Sequence, residues 1–240
     1  MSMIRDALEY LIDLGRVGAM EIGEQTYSTS PLIHVREPLA VPLQVNTLSG
    51  IVEYLLSDFD KDAIVDALVH VVSPSKVVVV SPILADAQRE KYIEAVAFEP
   101  AFRFGQWYDV ENFIISLQAN FVPDYDRERI LRVVGNLRTE EGVKQYSDDG
   151  VTQAVTAKTG VATVDEVAVP NPVILAPYRT FIEVRQPNSD FVFRMRQQNG
   201  RGPECALFEA DGGGWKLEAM ELVKEFLEHG LADAGIKVIR

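Results

Sequence analysis

The sequence contains one cysteine, Cys205, in 240 residues. A lone cysteine cannot close an intrachain disulfide or build a cysteine cage around a metal, and a reducing compartment fits that usage. Histidine is scarce too: His34, His70 and His229 are scattered, with nothing like the HExxH spacing of a zinc site. Basic residues are outnumbered, 23 Lys and Arg against 36 Asp and Glu, for a formal net charge of −13. That field repels nucleic acid and anionic membranes on average, so contact with either needs a local patch that outweighs the whole. Long apolar runs are also missing. The most apolar stretch, DALVHVVSPSKVVVVSPILADA, is interrupted by Ser73, Pro74, Ser75, Lys76 and Pro82 and falls short of a membrane span. The opening MSMIRDALEYLIDLG carries Asp6, Glu9 and Asp13 inside its apolar pattern, unlike a secretory signal. These absences point to the cytoplasm.

No catalytic signature is present. No serine occupies a GxSxG elbow, and the glycines Gly212 to Gly214 are followed by Trp215-Lys216 rather than the Gly-Lys-Ser/Thr of a phosphate loop. No catalytic residue, metal ligand or cofactor is assigned.

What is present describes an α+β chain. Ile4, Ala7, Leu8, Leu11, Ile12 and Leu14 recur at helical spacing up to Gly15. AMEI, QTYST and PLIHV are short β-prone pieces. Thr47 and Asp109 are suited to cap helices starting at Leu48 and Val110, and Asp124 a helix over YDRERILRVVGNL. ALVHVVS and KVVVVSPI form a tight hairpin by their β-branched content, with YIEAVAF as a third strand. From residue 138 onward the pattern turns to β, with strands over VKQYS, VTQAVTAKT, VILAPYRTFIEV and FVFRMRQ. A last amphipathic helix starts near Trp215 and stops at Gly230. The expected architecture has N-terminal helices, including a helical hairpin, packed on a small sheet over residues 1–137. A mostly antiparallel C-terminal sheet over 138–240 is covered by the final helix, with one continuous domain as the alternative to two parts.

PYRTFIEVRQPNSDFVFRMRQ concentrates arginines in this acidic chain. A four-residue loop over Pro187 to Asp190 would pair Gln186 with Phe191. Thr180, Ile182, Val184, Phe193 and Met195 would then face the core, and Arg179, Phe181, Glu183, Arg185, Val192, Arg194 and Arg196 the solvent. In that register Glu183 opposes Arg194 and Phe181 opposes Arg196, which leaves Arg179 and Arg185 without local partners. The candidate surface for an anion or a partner is therefore Arg179, Phe181, Arg185, Arg194 and Arg196, since a guanidinium fork grips carboxylate or phosphate. Pairing of Arg179 and Arg185 with acids elsewhere in the chain is the plainer alternative. Asp148, Asp149, Glu209 and Asp211 could gather into a cation site for a metal-dependent hydrolase or nuclease, although Asp-Gly turns and a cap on the last helix account for them more simply. FRFGQWYD could stack bases, but its position before a helix favours core packing.

TLSGIVEYL, VENFIISLQANF, SDDGVTQAV, VPNPVILAPYRTFIEVRQPNSDFVFR and ALFEADGGGWKLEA resemble an uncharacterised family encoded by phages and prophages, similar in layout to the prophage YfdQ-like proteins. The resemblance spans most of the chain and carries no chemistry to transfer. What it implies is an accessory protein made in a bacterial host, with phage DNA metabolism or host takeover as candidate settings. The expected function is non-enzymatic: binding of a protein partner, self-association as a homo-oligomer, or both. Binding of nucleotides or single strands through the arginine face is a third, less favoured reading.

Overall fold

A computed structural model describes residues 2–15, 18–22, 25–28, 38–57, 59–61, 64, 66–85, 87–98, 102–138, 144–148, 152–159, 162–163, 167–197 and 202–240. The chain divides into two compact units, Met1–Leu39 and Ala40–Arg240. The first holds helix α1 (Ser2–Gly15) and an antiparallel hairpin of β1 (Ala19–Ile22) with β2 (Gln25–Ser28). The expected PLIHV strand lies outside the described residues.

The second unit opens with β3 (Leu43–Val45) and α2 (Leu48–Leu56), where Thr47 accepts a hydrogen bond from the Gly50 N–H as expected of its cap. β4 (Leu68–Ser73) and β5 (Lys76–Val80) form the expected hairpin, and β6 (Lys91–Val96) is the third strand. Next come β7 (Tyr108–Asp109), α3 (Val110–Asn120), capped by the Asp109 carboxylate on the Asn112 N–H, and α4 (Tyr125–Arg138), where Asp124 takes the Arg127 N–H. β8 (Lys144–Asp148), β9 (Thr152–Thr159), β10 (Ala162–Thr163) and β11 (Val167–Pro170) form an antiparallel group. β12 (Val173–Leu175), β13 (Ser189–Gln197), β14 (Pro203–Glu209), α5 (Trp215–Gly230) and β15 (Lys237–Ile239) complete the unit.

Two sheets organise the packing. A mixed five-stranded sheet runs β15-β4-β5-β6-β3, with its end strands parallel to their neighbours; a four-stranded antiparallel sheet runs β12-β13-β14-β7. The helices are exchanged relative to expectation. The α3–α4 hairpin packs on the C-terminal strands, where Phe113, Leu117, Phe121, Ile130 and Val134 share a core with Val173, Leu175, Phe191, Phe193 and Leu207. Residues on both sides of Leu137 thus close one core. The final helix α5 does not cover that antiparallel sheet: Val223 and Leu227 pack with Leu48 and Ile51 on Val69, Val71, Val77, Val79 and Ile93 of the five-stranded sheet. The physical reason is β15, which follows α5 and adds to the edge of β4, so α5 is the arm that returns the chain to the first sheet.

The arginine-bearing hairpin is also corrected. β13 pairs with β12 through Val173↔Phe191 and Leu175↔Ser189, not with residues 180–186. Residues 176–188 are an irregular crossing segment between the two cores. Phe181 is 1% exposed and sits in the core of the five-stranded sheet, whereas Ile182 is 80% exposed, the reverse of the expectation for these two, while Thr180, Val184 and Phe193 do face inward as expected. Gln186 replaces the missing ladder. Its side-chain oxygen accepts from the N–H groups of Arg179 (3.0 Å) and Thr180 (3.3 Å), and its amide donates to the carbonyls of Phe181 (3.0 Å) and Val184 (3.2 Å). The Thr180 hydroxyl donates to the Pro74 carbonyl in the β4–β5 turn. With its backbone polar groups met this way, the segment can be buried without strand pairing.

Candidate functional site

Arg179 lies where the crossing segment meets the end of β14 and the start of α5. Its guanidinium donates to Glu209 at 2.8 Å and to the Ser189 hydroxyl, lies 4.0 Å from the Asp211 carboxylate, and stacks 3.8 Å over the Trp215 ring. Ser189 donates onward to Asp211 at 2.6 Å, and Asp211 also accepts the Gly213 N–H at 2.9 Å. The Arg179 side chain is only 10% exposed. Burial pushes its pKa down to about 10, against the pull of Glu209 and Asp211, and it stays protonated at neutral pH. Burial would raise the Asp211 carboxyl, but hydrogen bonds from Ser189 and from the Gly213 and Trp215 N–H groups, with Arg179 nearby, hold it below its ordinary value. Asp211 therefore organises the turn before α5. The helix N-cap itself is Gly214, which has no side-chain cap.

The five residues expected to share one face are dispersed. Arg185 pairs with Glu218 of α5 at 2.6 Å. Arg196 pairs with Glu204 across the β13–β14 ladder at 2.7 Å and stacks 4.1 Å from the Trp107 ring. Arg194, half-buried, stands opposite Ala206. Phe181 is buried in the other core. Glu183, expected opposite Arg194, instead accepts the Leu48 and Ser49 N–H groups at 2.5 and 2.8 Å and caps α2 from a distance of more than a hundred residues in sequence.

Of the four carboxylates considered for a cation, Glu209 and Asp211 do meet, but Arg179 occupies the place between them. Asp149 and the Asp148 side chain lie outside the described residues, as does His34. Among the described residues no group of three or more His, Cys, Asp or Glu could hold a metal ion. Cys205 is buried, and burial pushes its thiol up to about 12. Phe102, Phe104 and Tyr108 pack against the antiparallel core, as their position before α3 suggested.

Neither a protein-family model, nor a curated protein, nor a solved structure matches this chain.

Beside the Arg179 cluster is a cleft of about 340 Å³ lined by Phe102, Phe104, Tyr178, Trp215, Glu209 and Lys216, among others. Sequence periodicity gave no sign of it, because its walls come from five separate segments. A second surface feature belongs to the first unit. On α1, Ile4, Leu8, Leu11 and Ile12 are 71%, 55%, 62% and 58% exposed. The stripe was legible in the sequence as an amphipathic helix, but not that its own unit leaves it uncovered. Among the described residues no helix is long and apolar enough to cross a membrane.

Proposed function

We propose that the protein is a non-enzymatic interaction protein that self-associates, and that the contact is α1 rather than the arginine-bearing strands. The observation that supports this reading is the apolar stripe of α1, which its own unit leaves uncovered. A 14-residue helix is marginal in water by itself, and its apolar face gains most from a covering partner. A second copy fits that role. Antiparallel pairing of two such helices aligns their dipoles favourably. Against the arginine contact stands the fact that Arg179, Arg185 and Arg196 each already meet a carboxylate. The same pairing weighs against capture of nucleotides or single strands. The resemblance drawn from the sequence supplies the proposed setting, a phage-encoded accessory protein acting in its bacterial host.

The test is the absolute molar mass of the full chain by light scattering, for wild type and for Leu8→Glu/Leu11→Glu. A wild type of at least twice 26.7 kDa and a monomeric variant with an unchanged melt support the reading. A wild type that stays monomeric at about 100 µM, well above a micromolar Kd, or a variant that still associates, overturns it.

A further inference from the structure

The structure points to a second binding function, independent of α1: we propose that the aromatic cleft beside Arg179 takes a small aromatic monocarboxylate. Its apolar wall is preformed. Phe102 sits 4.9 Å from Phe121 and Phe104 5.1 Å from Phe191, centroid to centroid, so both rings are fixed by core contacts. On another side Trp215 is held by the guanidinium stacked on it. A volume of about 340 Å³, at the lower end of the range for small-molecule sites, suits one ring with a short acid.

The polar groups set the charge. Arg179 is committed to Glu209, Ser189 and Asp211, and the Asn120 amide donates to the Ser116 carbonyl. Lys216 is exposed and has no carboxylate partner among the described residues, which leaves one uncommitted cation at the cleft. Across Trp215 the adjoining groove is lined by Asp190, Asp211 and Glu218. On the cleft's own wall the Glu209 carboxylate would oppose a second negative charge on the ligand, so the site favours a monoanion over a phosphate dianion.

The probe is 4-fluorobenzoate, followed by fluorine NMR on the full chain, beside 4-fluorobenzamide and 4-fluorophenyl phosphate. Saturable binding of the benzoate is expected. Loss of the charge-assisted contact should weaken it about tenfold in Lys216→Gln and about tenfold for the benzamide. Lys224→Gln, a residue of the same helix paired with Glu228 at 3.4 Å, should leave binding unchanged. No saturable benzoate binding, equal affinity in Lys216→Gln, or tighter binding of the aryl phosphate each overturns the proposal. None of these outcomes depends on oligomeric state.

Discussion

At the scale of single residues, Arg179 decides how the acidic end of β14 and the turn before α5 are held. It is a largely buried cation between Glu209 and Asp211, so removing it strands two carboxylates and leaves a gap beside Trp215. Arg179→Ala is therefore expected to cost about 1 to 3 kcal/mol by denaturant titration, the range for polar groups that lose a charged hydrogen-bond partner. The charge swap Arg179→Glu would test folding and not binding. Asp211 adds a pH dependence of its own. Its folded-state pKa lies below the unfolded value near 3.8. The unfolded chain then binds the proton more readily, so this contribution is full above about pH 5 and is lost as pH falls through the depressed folded value. Melting curves from pH 7 to pH 2 should show wild type losing more stability than Asp211→Asn; parallel curves would contradict the assignment.

At the scale of elements, local chemistry and long-range contact divide the work. The starts of α2, α3 and α4 were legible because Thr47, Asp109 and Asp124 act within three residues of themselves. The crossing segment was not legible. Its alternation resembles a strand, yet Phe181 gains a core position, Gln186 meets four backbone groups and Glu183 caps α2, and each of these contacts depends on partners fixed elsewhere. Glu183→Gln removes the charge at the N-terminus of α2 and should destabilise by about 1 kcal/mol. An unchanged midpoint in urea would show that the cap contributes nothing.

At the scale of the second unit, the exchange of helices ties the two sheets together: α3 and α4 serve strands later in sequence, and α5 with β15 serves strands earlier in sequence. Ala40–Arg240 should therefore unfold cooperatively. Phe193→Ala and Val79→Ala, in different cores, should both lower one shared calorimetric transition, the first by about 3 to 5 kcal/mol. Two separable transitions, each moved by one variant only, would mean that the cores are independent. For the whole molecule, charge governs association. Two chains of −13 repel at low salt, so an apolar contact through α1 should tighten as salt rises, whereas a contact through arginines would weaken. Sedimentation at 50 mM and 500 mM salt distinguishes the two.

The α+β character, the helix starts, the β4–β5 hairpin and the antiparallel strands follow from local chemistry, because caps, periodicity and β-branched runs act over a few residues. Tertiary structure decided which helix covers which sheet, the fate of residues 176–188 and the partners of the arginines. Those outcomes depend on apolar area and charge supplied by segments far apart in the chain, and no local pattern encodes which distant surface will supply them.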